Sequence, residues 1–72
     1  MNGINFVFSE NLKRLRKEKC LTQNQLAQKL NVTGQAISKW ENRRSAPDIF
    51  MLSNLARILS CQTDDFFIKH EN

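Results

Sequence analysis

The chain has 72 residues, of which 40% are hydrophobic and 25% charged, with only two glycines and one proline. This length accommodates one domain, and the scarcity of glycine and proline favours helices with short connections. No segment approaches the roughly 18 apolar residues of a membrane span and no signal peptide is visible, so we expect a cytoplasmic protein without a membrane partner.

Charge is distributed unevenly along the chain. Eleven basic and seven acidic residues give a net charge of +4 at pH 7. Residues 61–72 contain one lysine and three acidic residues, a sum of −2, so residues 1–60 carry +6. This excess of positive charge favours a polyanionic partner such as nucleic acid. A basic surface that serves only solubility would have the same composition, so charge alone leaves both interpretations open.

Helical periodicity predicts five helices and no strand. The first begins between Asn5 and Ser9 and ends near Lys19, with basic side chains on its outer face. The second starts at Thr22, because Gln25 three residues later completes a capping box.

The later helices are predicted from their start signals. Thr33 starts the third helix, and the pair Pro47–Asp48 starts the fourth. A short fifth helix starts at Thr63, where two aspartates suit the positive end of the helix dipole. The tail 68–72 is expected to fray.

The connection between the second and third helices is the most informative. Only residues 31–33 separate their apolar stripes, and Asn31 is one of the few non-glycine residue types that tolerate positive φ. A turn this short makes the two helices cross steeply. Residues 22–42 are therefore predicted to form a helix-turn-helix.

The third helix has two distinct faces. On a helical wheel, Ile37 and Trp40 point toward the core, and four polar residues cluster on the opposite side: Gln35, Ser38, Lys39 and Asn42. Amides suit adenine, lysine suits guanine and serine suits either, so this face is able to read DNA bases. A plain solvated helix face would show the same pattern.

Two residues of this helix need a specific explanation. Glu41 falls on the core side, where a carboxylate needs a cation, and Arg16 of the first helix is the best candidate. Alternatively, both side chains reach water. Gly34 opens the helix, where alanine would be the better helix former. The position either tolerates glycine incidentally or approaches DNA so closely that a side chain would collide.

The stretch from Leu12 to Leu59 resembles the Cro/repressor-type helix-turn-helix family, also called xenobiotic-response-element-like regulators. The resemblance rests on an ordered set: "LTQ" opens helix two, Ala27 follows Gln23 by four residues, Val32 closes the turn, and "ISKWEN" ends helix three. It implies an all-α, five-helix DNA-binding domain. Because the length suits one domain, we expect that domain to occupy the whole chain, 1–72.

The function implied by the resemblance is a sequence-specific regulator of transcription that binds double-stranded DNA. We expect a repressor that acts as a homodimer on a pseudo-palindromic operator. Phe66 and Phe67 could contribute to self-association, although both could equally cover the core of a monomer. An antitoxin or other protein-interaction module on the same fold is the alternative.

The resemblance also implies roles for single residues. Phosphate contacts would come from Gln23, Asn42, Arg43 and Arg44, and base contacts from Thr33, Gly34, Gln35, Ser38 and Lys39. Arg16 and Glu41 would form an internal salt bridge. The chain departs from the family where glycine is usual, at Cys20, Asn31, Arg43 and Cys61.

An enzyme is not expected. The single histidine, His70, lies in the tail, and no triad-like arrangement or glycine-rich loop is present. Cys20 and Cys61 form no metal-spaced cluster and are expected to be reduced thiols. We therefore expect no metal, no cofactor and no small-molecule ligand.

Overall fold

The computed structural model describes residues 3–69, and within that range the chain is all-helical without a strand. It contains four α-helices, α1 (Gly3–Glu18), α2 (Gln23–Leu30), α3 (Gly34–Glu41) and α4 (Ile49–Ile58), followed by a 3-10 turn (Thr63–Phe66). The predicted all-α class is confirmed. The count of five helices is slightly off, because the fifth is a single 3-10 turn. Part of the predicted frayed tail, 70–72, lies outside the described residues.

Helix α1 begins earlier than the sequence indicated, at Gly3. The first turn of α1 carries Phe6, whose ring centroid lies 4.9 Å from the Arg43 guanidinium after α3. This cation–π contact joins residues far apart in sequence, so local start signals could not predict it.

The predicted start signals of the other three α-helices are confirmed. Thr22 Oγ1 accepts a hydrogen bond from the Gln25 amide at 3.0 Å, and Gln25 Oε1 accepts one from the Thr22 amide at 2.9 Å. Thr33 caps α3 through the Ala36 amide at 3.1 Å. In α4 the cap is Asp48, so Pro47 precedes the cap and is not the first helical residue.

Within one or two residues after the end of each α-helix, a non-glycine residue adopts the left-handed conformation. The four residues are Cys20, Asn31, Arg43 and Ser60, with φ between 56° and 64°. Each is followed by an amide that donates to the carbonyl five residues earlier, as Val32 does to Ala27 at 3.0 Å and Cys61 to Ala56 at 2.9 Å. The interpretation of Cys61 as a residue in a glycine position is wrong by one place, because Ser60 adopts the positive φ.

The core lies between α1 and the helix-turn-helix and is closed by α4 and the 3-10 turn. Its buried apolar residues are Phe8, Leu12, Leu15, Leu26, Ala27, Leu30, Ile37, Trp40, Leu55, Ala56, Leu59 and Phe66. Of the two phenylalanines considered for self-association, Phe66 is fully buried, and its ring packs at a tilt against the Phe8 ring with 5.5 Å between the centroids. Phe67 is 47% exposed.

A buried amide fastens the C-terminal turn to α1. Asn11 is 2% exposed, and its Nδ2 donates to the carbonyls of Phe66 and Ile68, both at 2.9 Å. These bonds satisfy carbonyls of a segment too short to satisfy its own. The 3-10 turn is therefore attached to α1 through the Asn11 side chain.

Glycine at the end of α4 is expected to stabilise the fold. A non-glycine residue at positive φ costs about 1–2 kcal/mol, and glycine loses about 0.5–1 kcal/mol of unfolded-state entropy, so Ser60→Gly should stabilise by about 0.5–1 kcal/mol. Urea unfolding measures the change. The matched control is Ser53→Gly in the exposed interior of α4, which should be destabilising. If both variants lose stability, the left-handed strain at Ser60 is absent.

Candidate nucleic-acid interface

A three-residue turn sets the position of α3 relative to α2. Asn31 ends α2 with φ 60° and ψ 40°, the left-handed conformation that asparagine tolerates. Val32 packs against the core and Thr33 already caps α3. Each of the three turn residues therefore has a fixed role. The turn holds α3 against α2 and leaves one face of α3 exposed.

The two faces of α3 are arranged as the sequence predicted. Ile37 is fully buried and Trp40 is 8% exposed, which fixes the inward side. Gln35 and Lys39 lie on the exposed side, and Ser38 is half-buried between them. The outward face therefore presents an amide and an ammonium to solvent.

A buried ion pair attaches α3 to α1. Arg16 Nε donates to Glu41 Oε2 at 2.6 Å and Nη2 donates to Oε1 at 3.1 Å, with the two residues 8% and 3% exposed. The structure thus gives Glu41 the bidentate partner that the helical wheel left open. Ser9 is also buried, which its position in the sequence did not indicate, and its Oγ donates a hydrogen bond to the Trp40 carbonyl at 2.6 Å.

The ion pair also reaches the start of α2. Arg16 Nη1 donates to the Leu21 carbonyl at 2.7 Å, just before the cap. Gln23 Nε2 donates to Glu41 Oε1 at 3.1 Å. An amide nitrogen carries two hydrogens, so one remains for another acceptor. Gln23, expected to contact phosphate, is therefore held in place by the carboxylate that pairs with Arg16.

Two residues that were predicted to contact DNA, Asn42 and Ser38, are hydrogen-bonded to each other in the free protein. Asn42 Nδ2 donates to the Ser38 carbonyl at 2.8 Å and to Ser38 Oγ at 3.2 Å. These bonds use both hydrogens of the Asn42 amide. The Asn42 amide hydrogens can bind DNA only by exchanging these bonds, whereas Ser38 Oγ accepts here and keeps its own hydroxyl hydrogen to donate. Helical spacing alone did not indicate this difference.

The turn after α3 carries two exposed arginines. Arg43 adopts φ 64° and places its guanidinium over the Phe6 ring, while Arg44 donates its amide to the Lys39 carbonyl at 2.9 Å. The residue that replaces the usual glycine therefore keeps the left-handed conformation. Its charge remains exposed, since a cation–π contact at an exposed site contributes only about 0.5–1 kcal/mol.

The outer surface of this region is cationic because its acidic residue is internal. Between residues 35 and 47 the sequence contains Lys39, Arg43, Arg44 and a single acid, Glu41. That acid is buried and neutralised by Arg16. We call the exposed residues Gln35, Lys39, Arg43 and Arg44, together with the start of α2, the basic face.

Gly34 has a neighbour that neither sequence-based explanation considered. A methyl group added to Gly34 would overlap Asn24 Oδ1 and would lie 3.2 Å from Asn24 Cγ. The glycine therefore leaves room for the Asn24 side chain in its present conformation, while the Asn24 backbone stays at an ordinary distance. Alanine at this position displaces the Asn24 side chain, so the expectation that it would only improve the helix is incomplete.

Among residues 3–69, no group of histidine, cysteine, aspartate and glutamate side chains could hold a metal ion, and no helix is long and apolar enough to cross a membrane. Cys20 and Cys61 are both free thiols. Burial, and secondarily Asp65, raises the pKa of the Cys61 thiol. His70 lies outside the described residues.

Comparison with known proteins places the chain in a family. The helix-turn-helix family HTH_3 matches residues 12–66, so the chain belongs to this family. It is 41% identical over 66 residues to the uncharacterized HTH-type transcriptional regulator YqaE of Bacillus subtilis, covering 92% of this chain and 56% of YqaE. It is 39% identical over 64 residues to the HTH-type transcriptional activator BcrR of Enterococcus faecalis, covering 89% of this chain and 31% of BcrR.

A solved structure shows the same fold. The HTH_3 family transcriptional regulator from Vibrio cholerae superimposes with a TM-score of 0.79 at 28% identity, over 89% of this chain and 36% of that one. The chain thus spans roughly a third to a little over half of the length of these relatives. The family is one of transcription regulators rather than an enzyme class.

Removing one charge of the buried pair is expected to unfold much of the protein. Glu41→Gln strands the buried Arg16 guanidinium, at a cost of roughly 3–5 kcal/mol. That cost is comparable to the whole stability of a core of this size. Circular dichroism during urea unfolding measures the loss.

The matched control makes the same substitution in an exposed pair. Arg14 Nη1 lies 3.0 Å from Glu18 Oε2, and the Glu18 side chain is 58% exposed. Glu18→Gln should change the free energy of unfolding by at most about 0.5 kcal/mol. Similar midpoints for Glu41→Gln, Glu18→Gln and the parent would show that the buried pair is not needed for folding.

Proposed function

We propose that this chain binds double-stranded DNA sequence-specifically and regulates transcription, with α3 in the major groove. The basic face is the observation that supports this proposal. Its polar side chains project from α3, which is attached to α1, to the start of α2 and to its own cap at Thr33. The acidic residue of that region, Glu41, is buried. Major-groove reading requires an exposed helix whose side chains are held in register. Membership in the helix-turn-helix family supports the same conclusion.

Phosphate contacts would position the protein. The backbone amides of Gln23 and Asn24, the first two residues of α2, have no partner within the helix, so they suit an anion. The Gln23 side chain beside them keeps one amide hydrogen available. Arg43 and Arg44 add exposed charge at the far end of α3. Asn42 would join them by releasing Ser38. Such contacts fix orientation and carry no sequence information.

Base contacts would come from the outward side of α3. Gln35 and Lys39 are exposed and match adenine and guanine, respectively. Ser38 would contribute through its hydroxyl hydrogen, which its bond with Asn42 leaves available. Thr33 and Gly34, at the start of the helix, would contact bases through the backbone or small side-chain atoms.

We further propose a homodimeric repressor on a pseudo-palindromic operator, within the cytoplasm. Phe67 and Ile68, 47% and 55% exposed, supply apolar surface for a second copy, while Phe66 serves the core. A dimer of this geometry would meet half-sites about 34 Å apart, one helical turn. Repression needs only occupancy of a promoter. BcrR is an activator, so a reporter gene behind the selected operator decides the direction.

A protein-interaction module, such as an antitoxin, is the second candidate. Ile49 and Phe50 at the start of α4 are 73% and 80% exposed, which is unusual for adjacent large apolar residues. This surface could bind a protein partner. If the parent binds duplex DNA and Phe50→Ser changes neither this binding nor any protein complex, the regulator alone is favoured. If the parent forms a specific complex with a partner protein and Phe50→Ser abolishes that complex, the interaction module is favoured.

Selection from random duplex DNA should recover a defined operator. We expect two half-sites separated by about one helical turn, and Gln35→Ala should lose about 1–3 kcal/mol and relax preference at one base pair per half-site. The other positions of the same operator serve as the internal control. A single half-site, bound by one chain in sedimentation, would contradict the dimer. Failure to enrich any sequence would contradict sequence-specific binding.

Duplex binding should weaken steeply with salt. Each neutralised phosphate contributes about −0.9 to the slope of log affinity against log salt, so several contacts give a slope of several units. Arg44→Gln should reduce the slope by about one unit. The control is Arg57→Gln, in the last turn of α4, which should leave it unchanged. A slope near zero for the parent would argue against the phosphate assignments.

A further inference from the structure

The side chain of Asn24 occupies the space that a side chain at position 34 would need. A Cβ on Gly34 would overlap Asn24 Oδ1 and would stand only 3.2 Å from Cγ, while the Asn24 backbone is at an ordinary 3.9 Å. The carboxamide thus lies directly over the first residue of α3. Glycine is what admits it there.

This carboxamide is available for a ligand. Asn24 is exposed, and no hydrogen bond joins its side chain to another residue within the described range 3–69. It offers two donor hydrogens and an acceptor oxygen, the set that pairs with the adenine edge in the major groove. The preceding residue differs, because Gln23 is bonded to Glu41.

The Asn24 carboxamide lies at the start of α3, where a helix-turn-helix contacts DNA bases. The N-terminal residues of the reading helix of a helix-turn-helix contact base edges. In this chain that helix starts with Gly34, which has no side chain to offer. The Asn24 carboxamide, projecting from α2, lies in the place of the missing side chain.

We propose that Asn24 is a specificity-determining residue, whose carboxamide contacts the base pair facing the start of α3, and that Gly34 exists to admit it. This inference rests on the proposed function, since it assigns part of the operator to a residue of α2. The base favoured at that pair is adenine, which an amide recognises with two hydrogen bonds.

The test compares variants on the operator selected by the parent chain. Asn24→Ala should lower operator affinity about 5- to 150-fold and abolish the preference at one base pair near the edge of each half-site. Gly34→Ala should relax the same base pair, because the added methyl displaces the amide. The double variant should lose no more than Asn24→Ala.

The control is Gln28→Ala, which removes an exposed amide one turn further along α2 and should retain the parent's preference. Circular dichroism checks that each variant is folded. If Gly34→Ala is unfolded, the base preference of Asn24→Ala alone tests the proposal. An unchanged base preference in Asn24→Ala, or a uniform loss on all sequences as for a phosphate contact, would overturn the proposal. A parent chain that selects no duplex would instead contradict the proposed function, and the inference with it.

Discussion

The buried ion pair between Arg16 and Glu41 is the interaction on which the placement of the basic face depends. Its two side chains hold the end of α3 against α1. The same side chains reach the start of α2, where Arg16 Nη1 donates to the Leu21 carbonyl and Glu41 Oε1 accepts from Gln23 Nε2. Burying two charges costs solvation that their attraction only partly returns. We therefore attribute to this pair the placement of three helices more than a net gain in stability.

Placing the carboxylate inside also determines the electrostatics of the surface. Because Glu41 is 3% exposed and paired, the charges near the exposed end of α3 are those of Lys39, Arg43 and Arg44. An exposed acid at this position would repel phosphates at the approach of DNA. One side chain thus serves as internal anchor for α3 and leaves the basic face without an opposing charge.

Features encoded by neighbours in sequence were predictable, and features encoded by distant contacts were not. The caps at Thr22 and the left-handed turn at Asn31 follow from hydrogen bonds within a few residues, which side-chain chemistry specifies directly. Three other contacts join separate elements. Asn11 is hydrogen-bonded to the C-terminal turn, the Arg43 guanidinium lies over the Phe6 ring, and the Asn24 side chain lies over the start of α3. Periodicity gives the face on which a residue lies, but it does not identify the atom that it meets.

The most direct test of the ion pair's role removes both charges together. Arg16→Met combined with Glu41→Leu leaves no stranded charge, so the protein should remain folded, as buried pairs replaced by apolar residues often do. Gln23 would nevertheless lose its partner. We predict that duplex affinity of this double variant, measured at one fixed salt concentration, falls by about 1.5–3 kcal/mol, as in Gln23→Ala. A folded double variant that binds the operator as tightly as the parent would contradict the claim that the pair orients the DNA-binding surface.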